Sequence, residues 1–569
     1  MAGVIHKLNQ KKNNSWLFHL FWILPALFLL VFYFYPILRV VQRSFIEEGR
    51  ISVLNTANLK TGWRAIQFSF KQALLSTLAT LLLGFPAAYL FGRFRFPGRK
   101  LLRLLSTLPF ILPTVVVAAG FNALLGMNGW INNILMRLFD LSEAPIQMFG
   151  TLGAIILAHV FYNTSIFIRI AGTAWERLDR NIEDAARVLS ASPWQSLRKV
   201  TLPLLMPSII SATLLVFLFD FTSFGVILLM GGAQFATIEV EIYIQTTQFL
   251  NLRLAGMLSL LQLVFSMSIT ALGRRIDKMS FTPVIPVVDE GNLRKPDNLW
   301  KRVFIPIMVF MLVAVMVVPV LALVLRALMV PPGENAADGL RLSLRNFQRI
   351  FINQRDALFF VPPFIALRNS ILFASTATML AVVLGGFIAI TTRWSKKIGD
   401  VLDTLIMLPL GTSAVTLGLG YLLAFSGSRT LIKYYPLLIP IAHALIALPF
   451  VVRILQPAIQ SIPEQQHYAA VMLGVAPRKL WWKVDVPMIK KPLITSAIYA
   501  FAISLGEFGA TTFLSRPEIP TLPVAIFRYL GLPGMENYGK AMAMAVILLC
   551  ACAAGFIFIE NLQETQENQ

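Results

Sequence analysis

The sequence predicts an all-α integral membrane protein with about 12 transmembrane helices, arranged as two parallel six-helix repeats. Three observations lead to this fold class: a high apolar content, apolar runs of membrane-spanning length, and a pattern in the first half of the chain that recurs in the second. Of the 569 residues, 57% are hydrophobic and 14% are charged, whereas soluble domains are about 45–50% apolar and about 25% charged. We therefore expect a polytopic protein in a lipid bilayer.

Twelve apolar runs are each close to the roughly 20 residues that an α-helix needs to cross the hydrocarbon core. Helices are expected because a continuous apolar segment in lipid must satisfy its own backbone hydrogen bonds. The first run is too long for a cleavable signal peptide, so we expect it to remain as an anchor. The predicted spans lie near residues 17–41, 67–92, 104–126, 147–168, 204–230, 254–272, 303–328, 366–391, 402–425, 432–452, 492–514 and 541–559.

The net charge of +21 is distributed as in an oriented membrane protein, so nucleic acid is not an expected partner. If the N-terminus is cytoplasmic, the cytoplasmic segments hold 30 of the 49 Lys and Arg residues. The short segment 93–103 alone holds five of them. Because Lys and Arg are enriched in cytoplasmic loops, we expect both termini to be cytoplasmic.

Two polar stretches share one pattern, in which two alanines are followed by a small residue and then, at identical spacing, by a proline. The residues are Asp184, Ala185, Ala186, Ser190 and Pro203 in the first stretch, and Tyr468, Ala469, Ala470, Gly474 and Pro487 in the second. Each stretch precedes the fifth span of its half. Further matches at offsets of 284 and 300 extend the duplication through both halves, and six spans per half make the repeats parallel.

The first polar stretch, residues 181–207, predicts two short helices joined by a turn. Its alanine pair permits close approach of the backbone to another surface. Ser192 followed by Pro193 is typical of an N-cap and a first helical position. Ser190, and Gly474 in the second stretch, are small residues that permit the turn between the helices.

These paired elements resemble the Glu-Ala-Ala loop of permease subunits in binding-protein-dependent ABC importers of the type I fold. The resemblance covers residues 67–272 and 366–560, which is nearly the whole chain. In that family the loop forms a coupling helix that docks into a groove on a cytoplasmic ATPase subunit. The implied partners are two copies of an ABC ATPase, an extracytoplasmic solute-binding protein and membrane lipid.

The resemblance also implies which residues form the two ATPase-coupling loops. They are Glu183, Asp184, Ala185, Ala186, Ser190 and Pro203 in the first half, and Tyr468, Ala469, Ala470, Gly474 and Pro487 in the second. Two positions depart from the motif, because Ser190 replaces its glycine and Tyr468 replaces its acidic residue. We therefore expect the two ATPase contacts to be unequal.

The resemblance implies five segments in a multi-pass protein of a bacterial-type plasma (inner) membrane. They are an N-terminal cytoplasmic segment with the first span and an outer loop (1–66), a first permease domain (67–272), a cytoplasmic linker (273–302), a seventh span with an outer loop (303–365), and a second permease domain (366–560).

We expect no catalytic residues, no cofactor site and no metal site in this chain. Segment 534–541 nearly fits a phosphate loop, but Ala541 lacks the hydroxyl that Mg²⁺ requires. ATP and Mg²⁺ are therefore expected on the partner ATPase, and this chain is not expected to be an enzyme. Cys550 and Cys552 are two positions apart and do not share a helix face, so neither a disulfide nor a metal site is expected.

Polar residues inside predicted spans are the candidates for a translocation path. Asp220 and Ser223 are three positions apart on the fifth span and are expected to share one face. Ser504 and Glu507 occupy the matching positions in the second half. These residues either line a cavity that attracts a cationic solute or form hydrogen bonds between helices, and both readings stay open.

Two halves fused in one chain resemble in particular the thiamine and iron(III) importer permeases. Segments 94–99, 158–163 and 231–239 look closest to the thiamine branch, although the two branches share much of their pattern. The implied solute is small and cationic, either thiamine or iron(III). The alternative function is a proton-coupled secondary transporter that uses Asp220 and Glu507, but such a protein would not need two matched Ala-Ala loops.

Overall fold

A computed structural model shows a bundle of long helices. It describes residues 16–47, 50–51, 56–279, 293, 296, 298–329, 342–352, 362–425, 435–475 and 480–567. Eleven helices in these ranges are long and apolar enough to cross a membrane, or twelve when one bent pair is counted as a single span. The all-α prediction is therefore confirmed, and the only strands in the described ranges are two very short ones, paired antiparallel.

The first half, with the segment before it, contains fourteen α-helices and the strand pair within the described residues. They are α1 (Trp16–Leu29), α2 (Tyr35–Phe45), β1 (Ile46–Glu47), β2 (Arg50–Ile51), α3 (Thr56–Arg93), α4 (Arg99–Ile111), α5 (Thr114–Leu125), α6 (Trp130–Phe139), α7 (Leu152–Phe167), α8 (Thr173–Arg177), α9 (Arg180–Val188), α10 (Pro193–Ser196), α11 (Leu202–Phe221), α12 (Gly225–Met230), α13 (Ile238–Thr247) and α14 (Leu252–Met279).

The second half contains twelve α-helices within the described residues. They are α15 (Leu299–Met316), α16 (Val318–Ala327), α17 (Arg345–Arg349), α18 (Pro363–Trp394), α19 (Lys396–Leu410), α20 (Ala414–Phe425), α21 (Leu438–Gln460), α22 (Glu464–Met472), α23 (Val486–Gly506), α24 (Gly509–Leu514), α25 (Leu522–Gly531) and α26 (Met535–Glu567).

The duplication read from the sequence reappears in the helix boundaries. The helices α9 and α22 begin and end at positions related by the offset of 284, and so do the pairs α12 and α24, and α13 and α25. A π-helical turn also recurs at this offset, at Leu197–Thr201 and Trp481–Asp485. The two halves therefore contain the same order of helices, and even a single π-helical turn is repeated.

Five predicted spans are not continuous helices, so that part of the prediction is wrong. The breaks fall within the ranges 104–126, 204–230, 303–328, 402–425 and 492–514. Proline explains the first of them, because Pro113 forces the preceding residue out of the helical region and Leu112 is extended, with ψ at 132°. The matching helices α19 and α20 meet at a bend of 97°, where the Ser413 hydroxyl accepts hydrogen bonds from the first turn of α20.

The first span of each half packs against the other half. The helices α1 and α2 contact α18 and α20 of the second half, whereas α15 and α16 contact α4 and α5 of the first. Repeat-matched glycines make the close approach possible. A Cβ atom on Gly120 would lie 2.8 Å from the carbonyl oxygen of Pro319, and one on Gly420 would lie 3.2 Å from that of Pro36. Each half is therefore completed by a helix from the other.

Alanine at Gly120 should destabilise the bundle more than alanine at Gly420, because only the first creates a contact below 3.0 Å to a backbone atom. Overpacking of this kind costs about 1–3 kcal/mol. We expect the melting temperature of the solubilised protein to fall by several degrees for Gly120→Ala. Gly386→Ala is the control, because that helical glycine has nothing within 4 Å of its added Cβ. An unchanged melting temperature for Gly120→Ala would contradict the close packing described.

Candidate functional site

The two polar stretches fold into the same helix and turn. Ser190 and Gly474 both adopt positive φ, at 64° and 81°, so the prediction that these two residues make the turn is confirmed. Three backbone hydrogen bonds close each turn at matching positions: Leu189 to Ala185, Ser190 to Arg187 and Ala191 to Ala186 in the first half, and Leu473 to Ala469, Gly474 to Val471 and Val475 to Ala470 in the second. Glycine suits this conformation better than serine.

The segment after the first turn also matches the sequence-based expectation. The Ser192 hydroxyl accepts a hydrogen bond from the Gln195 amide, and the Gln195 side chain accepts one from the Ser192 amide. Together these bonds form a capping box, with Pro193 in the first turn of α10. The corresponding residues 476–479 of the second half lie outside the described part of the chain.

The coupling-loop residues that the resemblance implies differ in their solvent exposure. Ala185 and Ala469 are exposed, whereas Ala186 and Ala470 are half-buried. Pro203 and Pro487 lie in the first turn of α11 and α23. The side chain of Tyr468 is outside the described set, and a docking role for any of these residues stays a prediction.

Glu183 faces the bundle instead of solvent. Its carboxylate accepts hydrogen bonds from Arg93, the last residue of α3, and from the Thr201 hydroxyl, at 2.7 Å for the latter. The Glu183 side chain is 13% exposed and that of Arg93 is 6% exposed. Glu183 therefore links α9 to α3 and to the π-helical turn that contains Thr201.

Sequence reasoning missed an exposed apolar pair at the tip of each polar stretch. Val188 and Leu189 are 85% and 83% exposed, and the repeat-matched Met472 and Leu473 are 82% and 85% exposed. Their recurrence at an offset of 284 was visible in the sequence, but exposure was not. Contiguous exposed apolar surface is typical of protein–protein or membrane interaction sites. We call these four residues the apolar tips.

Asp220 lies fully buried within the first half. The Asn163 amide donates to its carboxylate at 2.6 Å, and the Thr77 hydroxyl donates at 3.3 Å. Nδ1 of His159 lies 3.3 Å from the same carboxylate. The network joins α3, α7 and α11, and it supplies the interhelical hydrogen bonds that were one of the two open readings.

The prediction that Asp220 and Ser223 share a helix face is wrong. The helix α11 ends at Phe221, and Ser223 lies in the break that follows. The two residues are nevertheless linked. Nε2 of His159 lies 2.9 Å from the Ser223 hydroxyl, while its other ring nitrogen faces Asp220. A role for either residue in a translocation path stays a prediction.

The second half has a similar network with its carboxylate one turn later. His443 lies 2.8 Å from the Ser504 hydroxyl and 3.1 Å from the Glu507 carboxylate. Glu507 follows the end of α23, so it does not share a continuous helix with Ser504. Its carboxylate accepts hydrogen bonds from the amides of Ala510 and Thr511, at 2.8 and 3.0 Å. Glu507 therefore provides the hydrogen-bond acceptors for the backbone N–H groups at the start of α24.

Two phenylalanines from equivalent positions stack where the halves meet. The rings of Phe224 and Phe508 lie 5.7 Å apart between centroids and 23° from parallel. Because these two positions are related by the repeat offset, the axis that relates the halves passes between them. Tyr243 flanks Phe224 at 5.5 Å, and the repeat-matched Phe527 flanks Phe508 at 5.3 Å. We call these four rings the axial cluster.

A buried carboxylate also crosses between the halves. Glu239, at the start of α13, accepts a hydrogen bond from the Ser413 hydroxyl of the second half at 2.6 Å. The Gln262 side chain of α14 donates to the other carboxylate oxygen. Glu239 is fully buried, so this contact helps to hold the halves in register beside the axial cluster.

The fold and these paired elements define a two-repeat membrane permease. The family model described as "Binding-protein-dependent transport system inner membrane component" matches residues 80–278 and 381–565, one match in each half. Because the matches cover more than half of the chain, the protein belongs to this family. It is a fused permease of the kind found in binding-protein-dependent ABC importers, as its sequence indicated.

Curated relatives match both halves in one alignment. The chain is 26% identical to the thiamine transport system permease protein ThiP of Escherichia coli over 88% of this chain and 89% of that protein. It is 28% identical to ThiP of Brucella suis over 86% of each chain. It is also 26% identical to a probable ABC transporter permease of Sinorhizobium fredii over 89% of each chain. The proton-coupled alternative gains no support from these matches.

A solved bacterial ABC transporter involved in the import of the acidic polysaccharide alginate aligns with 48% of this chain and 100% of its own, with 18% identity and a TM-score of 0.38.

Proposed function

We propose that this protein forms the translocation path of an ATP-driven importer for thiamine. The observation that carries the proposal is the similarity to thiamine permeases over 86% to 88% of this chain, through both halves. Iron(III), the other cationic solute that the sequence left open, is named in none of these relatives. Identity of 26% to 28% makes thiamine the substrate to test first.

The proposed assembly has one ABC ATPase bound at each polar stretch and a solute-binding protein on the opposite side of the membrane. Matched turns and exposed apolar tips support one ATPase contact in each half, and the departures at Ser190 and Tyr468 make the two contacts unequal in this proposal. This orientation makes the polar stretches and both termini cytoplasmic, in agreement with the Lys and Arg distribution. ATP and Mg²⁺ then bind to the partner, and this chain remains a transport subunit.

We place the proposed path along the axis between the halves. The axial cluster lies on that axis, and its stacked pair closes the path in this conformation. Asp220, Ser223, Ser504 and Glu507 remain candidate residues beside the path, one set in each half. ATP-driven movement of the polar stretches would separate the halves and part the rings, and the buried networks would keep each half intact.

Uptake of labelled thiamine by cells tests the substrate. Cells in which this chain has been deleted should lose thiamine uptake, and restoring the chain should recover it. Uptake should need ATP and persist when a protonophore removes the proton gradient but ATP is maintained. Uptake of iron(III) but not of thiamine would show that iron(III) is the substrate. Uptake that depends on the proton gradient and not on ATP would favour the secondary transporter.

A further inference from the structure

We propose that Arg93 and Arg393 are the two joints that transmit movement of the polar stretches into the membrane. In this role they are positioning residues, because each acts through the helices that it joins. The inference rests on the proposed ATP-driven function and adds the residues that carry its mechanical coupling. Two sets of contacts support it, one in each half.

In the first half, Arg93 joins three elements. It is the last residue of α3, a helix of 38 residues. Its guanidinium donates to the carbonyl oxygen of Leu178, just beyond α8, at 3.3 Å. It also donates to Glu183 of α9, and the Thr201 hydroxyl donates to the same Glu183 oxygen at 2.7 Å. The long helix, the end of the preceding span and the polar stretch therefore meet at one side chain.

In the second half, Arg393 makes an equivalent joint near the end of α18, a helix of 32 residues. It donates to the carbonyl oxygens of Ile459 and Ile462, at 2.9 and 3.2 Å. Its guanidinium also lies 3.4 Å from Nδ1 of His467 in α22. Nε2 of His467 in turn lies 2.8 Å from the Asp485 carboxylate. The His467 ring therefore bridges Arg393 and the Asp485 carboxylate.

The two joints use matching positions but different residue types. Positions 178 and 462, 183 and 467, and 201 and 485 are pairs related by the same repeat offset. The carboxylate belongs to the polar helix in the first half, as Glu183, and to the following π-helical turn in the second, as Asp485. One carboxylate per arginine is retained although its position has moved. The paired charge at the joint is therefore the common feature of the halves.

Arginine suits such a joint because its planar guanidinium carries five N–H donors in fixed directions. Lysine has a single ammonium group and cannot hold three elements in the same geometry. The exposed apolar tips lie at the C-terminal ends of α9 and α22, where the proposed partner would bind. A movement of the polar stretches is then transmitted to α3 and α18 through the two arginines. These long helices pack against the core of each half.

The test measures solute transported per ATP hydrolysed, at one fixed pH, in proteoliposomes containing the complex co-purified through a tag on this chain. We expect Arg93→Lys and Arg393→Lys each to lower this ratio at least fivefold while ATP hydrolysis continues. Arg177→Gln and Lys397→Gln are matched controls, because both side chains are exposed at the same end of the bundle. Their ratios should equal that of the wild-type protein.

An exchange of residue types separates a joint from a general need for stability. His467→Glu with Asp485→Thr rebuilds the first-half arrangement in the second half and should keep at least half of the wild-type ratio. His467→Glu alone places two carboxylates beside Arg393, and Asp485→Thr alone leaves that arginine without one. The ratio of solute transported to ATP hydrolysed should therefore be at least fivefold below the wild-type ratio in each single variant, and lower than in the double variant.

The outcomes distinguish this inference from the proposed function. If the wild-type complex shows no ATP-driven transport, the proposed function fails. If it transports but the lysine variants keep the wild-type ratio, the joints are wrong. The same conclusion follows if the double exchange is no better than its single variants. Should the lysine variants fail to assemble, the exchange series still decides between these results.

Discussion

Replacing Leu189 and Leu473 with Glu in one chain should abolish ATP-driven uptake while the protein remains folded and inserted. The two side chains are 83% and 85% exposed, so the folded chain loses almost no packing. A docked ATPase would bury them, and burial of a leucine side chain contributes about 1.5–3 kcal/mol. Each ATPase contact would therefore lose about 1.5–3 kcal/mol, which corresponds to a drop in affinity of about 10-fold to 150-fold at each site.

Co-purification of the ATPase with the tagged chain would be measured alongside uptake, and both should fall together. Lys397→Glu is the charge control, because it introduces the same residue type at an exposed site outside both polar stretches. The melting temperature should be unchanged in all variants. Normal uptake by the double variant, at matched expression, would show that the apolar tips are not the docking surface.

Replacing Phe224 and Phe508 with Ala together should open a passive path through the protein. The stacked rings are 7% and 3% exposed and lie where the halves meet, and in the proposed path they close the axis. Removing both leaves a cavity at the point where the repeats meet, flanked by Tyr243 and Phe527. An aromatic pair contributes only about 0.5–1.5 kcal/mol beyond its buried area, a contact weak enough for an ATP-driven movement to break.

The measurement is efflux of labelled thiamine from proteoliposomes that contain this chain without ATP. We expect a rate at least tenfold above that of the wild-type protein for the double variant, and a smaller rise for each single variant. Phe161→Ala is the packing control, because this buried ring contacts Phe121 inside the first half, at 5.7 Å. If Phe161→Ala leaks as much as the double variant, the effect is a loss of packing and the axial cluster is not the closure.

The broken spans show where sequence patterns stop being informative. Hydropathy predicted continuous helices across Leu112 and across Glu507, because an apolar run conceals a short turn. Pro113 was a visible sign of the first break. The second depends on a carboxylate that caps α24 and touches His443, which belongs to a different helix far back along the chain. A contact of that kind leaves no local pattern.

The sequence by itself determined the membrane class, the duplication and the matched turns at Ser190 and Gly474. These follow from apolar content and from the backbone preferences of residues within a few positions of one another. Only the tertiary structure decided which half each first span completes, that Arg93 and Arg393 serve equivalent joints, and that Phe224 meets Phe508. The physical reason is that packing joins surfaces from distant parts of the chain, and which surfaces meet depends on the shape of the assembled bundle.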